Sequence, residues 1–134
     1  MFYFAHSTNF DNFRKIIESR YIYAPYYAPY ELHGLSSKVN RSKYIFTNIF
    51  LNDLPLKDDE RKGFGDISII INPNILKYKT CYFNVGWYGH VYDKTIIMND
   101  NIQLVLDLAR KNYRYPYLLA NEALFKKKFL PSLF

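Results

Sequence analysis

The chain begins MFYFAHSTNFDNFRKIIESR (residues 1–20), and the reading of this stretch decides the fold. Phe2 to Ala5 is a short apolar run that reads as a buried strand, and it ends in three hydrogen-bonding side chains, His6, Ser7 and Thr8. Asn9 or Asp11 then caps a helix, because a short side-chain oxygen can accept from the free backbone N–H groups of a first turn. The periodicity of DNFRKIIESR predicts a helix that puts Phe13, Ile16 and Ile17 on one face, with Phe10 joining from its N-terminal side. The helix ends near Arg20, and YIYA (residues 21–24) resumes an extended form.

Working outward, residues 24–43 hold two prolines, one glycine and little periodicity, and read as a long loop. Long loops in small domains are usually functional or mobile. This one carries Tyr26, Tyr27, Tyr30, His33 and Arg41, residue types that suit a ligand or nucleic-acid surface. KYIFTNIFL (43–51) and DISIIINP (66–73) read as strands, separated by a charged turn or short helix end at PLKDDERKGFG (55–65). A further strand or strand pair is predicted at CYFNVGWY (81–88) and a short one at KTIIM (94–98). DNIQLVLDLARKN (100–112) is the second helix, with Asp100 as cap and Ile102, Val105, Leu106 and Ala109 as its apolar face. NEALFKKKFL (121–130) reads as a closing strand pair. This order is neither a regular βαβ alternation nor an all-β meander, so the class is α+β, in one compact domain over residues 1–134.

Composition narrows the function classes. Lysine and arginine exceed acidic residues by six, which favours a polyanionic partner or, equally, a solvated basic face at Lys126, Lys127 and Lys128. The chain has 14 tyrosines and 11 phenylalanines, and tyrosine suits half-wet ligand clefts; codon bias is an equally simple cause. The single cysteine, Cys81, excludes a disulfide framework and fits a reducing, cytoplasmic compartment or a host cell interior. Cys81 lies in an apolar strand reading and is taken as inert packing. No apolar run is long enough to span a bilayer, and the N-terminus does not read as a signal peptide. There is no glycine-rich phosphate loop, and His6, His33 and His90 lack metal-ligand spacing, so no metal is expected. Asp58, Asp59 and Glu60 form a run that reads as a solvated face. FNVGWYGHVYD (83–93) reads either as a cleft wall or base-stacking platform, or as a tight hairpin with a buried tryptophan.

HSTNFDNFRKIIESRYI (6–22) resembles the opening of ADP-ribosyltransferase-fold domains, where a strand ends in His-x-Thr or His-Gly-Thr and an amphipathic helix follows. It is most similar to the DarT-like branch. NEALFKKKFLPSLF (121–134) is similar to the closing motif of that superfamily, a glutamate that starts a strand, and YIFTN (44–48) falls where its middle element would be. The resemblance lies at the two ends of the chain. It implies an ADP-ribosyltransferase-like split mixed sheet with two main helices. It implies NAD as substrate, with Glu122 beside the ribose, His6 on the adenosine-side ribose, Ser7 and Thr8 near the nicotinamide amide, and Tyr44 stacked on the nicotinamide ring. Arg41 resembles in position an arginine that contacts phosphate or acceptor. Ser7 replaces the common glycine, and no Ser-Thr-Ser or Glu-x-Glu motif is present, which argues against arginine as acceptor.

The chemistry fits these residue types. Nicotinamide is a good leaving group, so its departure needs no strong acid. It needs a carboxylate to stabilise positive charge on the ribose and groups that hold the dinucleotide in place. The basic charge and aromatic loop point to DNA or RNA as acceptor, through Tyr26, Tyr27 and Lys126–Lys128. Two alternatives stay open: a module of this fold that binds nucleic acid or a nucleotide without turnover, and an RNA-end phosphotransferase.

Overall fold

Alternation of apolar and polar residues builds the sheet, and capped helices cover one of its faces. We describe a computed structural model of the chain over residues 1–30, 43–53, 65–84, 95–112, 122–126 and 128–129. The strands are β1 (Phe2–Thr8), β2 (Ile22–Tyr23), β3 (Tyr44–Leu51), β4 (Ile67–Ile71), β5 (Tyr82–Asn84), β6 (Ile96–Ile97), β7 (Glu122–Lys126) and β8 (Lys128–Phe129). The helices are α1 (Phe10–Ser19) and α2 (Ile102–Asn112). Of the loop expected at 24–43, Pro25–Tyr27 forms a 3-10 turn. The part with His33 and Arg41 lies outside the described residues, as do Asp58, Asp59, Glu60 and residues 85–93.

The six-stranded sheet has the order β4-β1-β3-β7-β5-β6, and β2 pairs with β8 in a separate two-stranded sheet. The expectation of a mixed sheet is corrected: every pairing among the described strands is antiparallel. The reason lies in the connections. Parallel neighbours need a crossover between adjacent strands, usually a helix. Here α1 leads from β1 to β2, which belongs to the other sheet, and α2 leads from β6 to β7, which are separated by β5.

Residues at alternate strand positions divide the sheet into two faces. Phe2 and Phe4 of β1, Ile45, Ile49 and Leu51 of β3, and Ala123 and Phe125 of β7 join one apolar cluster with Ile16 of α1 and Val105 and Ala109 of α2. Within it Phe4 packs edge-on against Phe2 and Phe125, at centroid distances of 5.6 and 5.4 Å. Thr47 lies at the same face and satisfies its buried hydroxyl by donating to the Ala123 carbonyl, 2.8 Å away. The opposite face carries a smaller apolar group of Ala5, Phe50 and Tyr3.

The helix ends follow local chemistry. Asn9 is the cap of α1: its side-chain oxygen accepts from the Asn12 N–H at 2.8 Å. Arg20 closes the helix in a left-handed conformation, φ 66°, and its N–H donates to the Ile16 carbonyl. The apolar faces are narrower than the periodicity predicts. Ile16 is buried and Phe13 packs against the core, but Phe10 is 68% exposed and Ile17 56%. In α2, Val105 and Ala109 are buried and Leu106 packs on the core, whereas Ile102 is exposed. Asp100 belongs to a 3-10 turn, Met98–Asp100, and the first-turn N–H of Val105 donates to the Asn101 carbonyl.

Two residues fix how the segments meet. Asn99 accepts from the Cys81 N–H and donates to the Leu76 and Lys79 carbonyls, joining the turn after β4 to the start of β5. Gly65 precedes β4 with φ +124°, and a Cβ there would overlap the Thr8 carbonyl at the end of β1. Both the backbone conformation and the close approach demand glycine. Gly65→Ala is expected to lower stability by about 2–4 kcal/mol, combining positive-φ strain with displacement of the β1 terminus. Urea unfolding checks this, and an unchanged midpoint would contradict the close approach.

Candidate functional site

The strands that carry His6, Tyr44 and Glu122 lie side by side as β1, β3 and β7, far apart as they are in sequence. Their register forms one row across the sheet. Ala5 pairs with Asn48, Asn48 with Glu122, and Glu122 with Asn84 of β5. Strands lie about 4.8 Å apart, so position 122 is about 10 Å from Ala5. The backbone of Glu122 defines this place; its side chain lies outside the described residues.

His6 stands one step along β1 from that row, opposite Ile69 of β4. An unbroken pleat would give positions 6 and 122 opposite faces. β1 stays in register with β4 as far as Thr8, so the pleat is unbroken and positions 6 and 122 do fall on opposite faces, although the β1–β3 pairing runs only from Phe2–Leu51 to Ala5–Asn48. Beyond it the imidazole takes over: Nδ1 lies 2.8 Å from the Phe46 carbonyl. A carbonyl only accepts, so Nδ1 carries the proton and donates. Nε2 is then left with a lone pair that can accept from a ligand hydroxyl. Burial lowers the imidazole pKa below its ordinary value of 6.5, and the bond to Phe46 opposes this only in part.

The neighbours expected to hold the dinucleotide are placed differently from one another. Ser7 pairs with Ser68, and their hydroxyls are 3.2 Å apart. Thr8 is buried, 5% exposed, beside Gly65 at the strand end. Tyr44 begins β3 opposite Lys126 and packs edge-on against Tyr82, centroids 6.0 Å apart. That is four positions along β3 from Asn48, about 13 Å, so Tyr44 marks the far end of a groove-length track rather than the neighbourhood of residue 122.

A second set of residues surrounds this end of the sheet, and the sequence reading reaches only part of it. Lys126 Nζ lies 5.1 Å from the Tyr82 ring centre and 6.0 Å from that of Tyr44. Lys128 Nζ lies 4.6 Å from the Tyr21 ring and 5.7 Å from Tyr23. Lys43 stands over exposed Tyr26, which packs edge-on against Tyr27, and Lys15 stands over Tyr30. Tyr23 pairs with Lys128 and touches Tyr30, so Lys128, Tyr21, Tyr23, Tyr30 and Lys15 form one cation–tyrosine cluster, beside the separate groups of Lys126 with Tyr44 and Tyr82 and of Lys43 with Tyr26 and Tyr27. Arg41 and Lys127 lie outside the described residues.

Elsewhere the chemistry is quieter. Cys81 is buried, and burial pushes its thiol far above the ordinary range, so the thiolate is suppressed. Among the described residues no three His, Cys, Asp or Glu side chains form a group that could hold a metal. No described helix is long and apolar enough to cross a membrane. An open apolar groove of about 550 Å³ runs along β4 and α1, lined by Tyr3, Phe13, Ile17, Ile70 and Pro73 among others. His6 and Tyr44 do not line it.

The most pointed feature missed from sequence is Asn84. It is fully buried, and neither its Oδ1 nor its Nδ2 has a hydrogen-bond partner among the described residues. A polar residue between Phe83 and Val85 in an apolar strand was the available signal.

Residues 1–129 match the family described as "Family of unknown function (DUF5846)", and the chain belongs to that family. It is similar to "Uncharacterized protein R11" of Acanthamoeba polyphaga mimivirus, 37% identical over 89 residues. That stretch is 66% of this chain and 31% of the viral protein, so the chain corresponds to about a third of that relative's length. No solved structure matches the chain.

The His6 environment predicts a pH dependence of stability. Its folded pKa is lowered, so between that value and the unfolded 6.5 the unfolded chain binds more protons. The stabilising contribution is complete above pH 6.5 and is lost as pH falls through the folded pKa. The slope attributable to His6 reaches at most about 1.4 kcal/mol per pH unit. His6→Gln keeps a donor for the Phe46 carbonyl and removes the titration. Unfolding free energies between about pH 7.5 and pH 5 should therefore fall more steeply for the wild type than for His6→Gln; parallel profiles would contradict a partly buried imidazole held neutral.

Proposed function

We propose that this domain is an ADP-ribosyltransferase-like enzyme of split-sheet type that binds NAD across β1, β3 and β7 and transfers ADP-ribose to a nucleic-acid acceptor. The observation that carries the reading is the adjacency of the three strands on which the first, middle and closing motifs fall. A dinucleotide site needs groups from distant parts of the chain within one ligand length, and the adjacency of these strands supports the reading.

In the proposed reaction the bond between the ribose C1′ and the nicotinamide nitrogen breaks, and its electron pair leaves with neutral nicotinamide. A nucleophilic oxygen or nitrogen of the acceptor forms the new bond to C1′ and loses its proton. Glu122 stabilises the positive charge that develops on the ribose and orients its 2′-hydroxyl. His6 holds the adenosine-side ribose by accepting from a hydroxyl at Nε2, a role available only to the neutral ring. Lowering of its pKa by burial suits that role. Ser7 and Thr8 are assigned to the nicotinamide amide, and Tyr44, about 13 Å along β3 from the residue opposite Glu122, is assigned a ring contact farther along the dinucleotide.

The test is nicotinamide release from NAD, with and without DNA or RNA. Glu122→Gln is expected to reduce the rate by about 100-fold to 1,000-fold with the fold intact, as removal of one preorganised electrostatic group does. Absence of release from the wild type, or turnover untouched in Glu122→Gln, would sink the assignment.

One observation favours a second reading, in which the fold binds nucleic acid without turnover. The lysine–tyrosine contacts combine cations for phosphates with rings for bases, the pairing that single-strand binders use. On this reading Lys126→Ala with Lys128→Ala weakens single-strand binding. The double substitution should also reduce the slope of log affinity against log salt by about 1.4, or about 0.7 for each phosphate left without its lysine. Filter-binding titrations at several salt concentrations measure it; an unchanged slope would exclude these lysines from the phosphate backbone.

A further inference from the structure

Asn84 lies in the row that runs from Ala5 through Asn48 and Glu122, directly opposite Glu122 at the end of β5. Its side chain is wholly enclosed. Neither the carbonyl oxygen nor the amide nitrogen has a hydrogen-bond partner among the described residues. Thr47, also buried, behaves otherwise: it donates to the Ala123 carbonyl, one step along β3 from Asn48. Leaving a buried donor and acceptor unpaired costs more than a single hydrogen bond ordinarily gains, so such a group calls for a specific explanation. A residue of the same shape without polarity would pack there at no such penalty.

We propose that Asn84 is a ligand-reading residue, whose carboxamide pairs with an amide-like edge of the bound molecule, a donor beside an acceptor. The carboxamide of nicotinamide and the amino edge of adenine both present such an edge. Asn84 has an aromatic neighbour on its own face of the sheet. Two positions before Asn84 on the same strand is Tyr82, which pairs with Leu124 and packs against Tyr44. Small-molecule sites ordinarily place a donor–acceptor pair of this kind against apolar and aromatic side chains. Because solvent does not reach Asn84, the ligand must displace the atoms that now cover it, and rearrangement of that kind slows association.

This inference rests on the reading that the row at Glu122 faces a dinucleotide. It adds the residue that tells a carboxamide or an adenine from analogues lacking the paired edge. A site built around a buried donor and acceptor rejects such analogues because its own groups are then left unpaired.

The experiment is calorimetric titration of the full chain with NAD, nicotinamide, nicotinate, adenosine and inosine, on the wild type, Asn84→Leu and Asn84→Asp. The wild type is expected to bind NAD, and to bind either nicotinamide at least tenfold more tightly than nicotinate, or adenosine at least tenfold more tightly than inosine. The first result assigns Asn84 to the nicotinamide end and the second to the adenine end. Asn84→Leu should lose at least tenfold in affinity for NAD, while its unliganded melting temperature stays level or rises because the unpaired amide is gone. Should the leucine variant fail to fold, Asn84→Asp, which keeps the shape and loses the donor, carries the same expected loss. Affinity within twofold of wild type in the folded variants overturns the inference. So does a wild type that binds none of the five compounds, or a liganded crystal structure in which an ordered water alone occupies the Asn84 amide. Nicotinamide release separates the two claims. NAD bound through Asn84 without release upholds this inference and removes the transferase reading. Release that persists with unchanged KM in Asn84→Leu removes this inference alone.

Discussion

The pairing of β3 with both β1 and β7 is the constraint on which everything else depends. β3 sits between the first strand of the chain and the last long one, and its register with each is fixed by alternate burial. Ile45, Thr47, Ile49 and Leu51 belong to the helix-covered face, with the β7 residues Ala123 and Phe125 beside them. A slip of one residue on either side would turn Phe4 or Phe125 out of the core and bring polar positions such as Asn48 into it. The same register places Asn48, Glu122 and Asn84 in a line. The core and the candidate site are therefore two consequences of one alignment, and a change that disturbs the ladder disturbs both.

Local chemistry was legible in the sequence and long-range pairing was not. Asn9 caps α1 through its side-chain oxygen because a polar residue there follows a strand and precedes apolar periodicity. Strand runs such as DISIIINP stop at Pro73, as a missing N–H requires. Strand order is another matter. Nothing in residues 44–51 says that one edge meets residues 2–5 and the other residues 122–126, since antiparallel partners of similar composition are interchangeable until the core is assembled. The widths of the helix faces failed for a related reason. Periodicity directs Phe10 and Ile17 inward, but α1 presents only Ile16 and part of Phe13 to the core, and Ile17 borders the open groove along β4.

The candidate site divides in the same way. His6 stands out because an imidazole that ends an apolar strand is a visible break in pattern. Glu122 stands out only through the resemblance at the chain's ends, since one carboxylate among charged residues carries no signal of its own. Asn84 escapes notice because, over residues 81–88, one polar residue does not change whether a strand is predicted. Its significance comes from burial without a described partner, a property of the folded chain alone.

The tyrosine excess takes on physical meaning only in the fold. Tyr21, Tyr23, Tyr26, Tyr27, Tyr30, Tyr44 and Tyr82 all stand in ring contacts with one another or beneath lysine ammonium groups. Each such cation–ring contact is worth about 0.5–1 kcal/mol when exposed, too little to specify a fold. Such contacts instead hold lysine side chains in place on the surface. Confinement of this kind lowers the side-chain ordering cost of any later contact that the ammonium groups make. The ring contacts fix where Lys15, Lys43, Lys126 and Lys128 hold their charge, whatever produced the tyrosine excess.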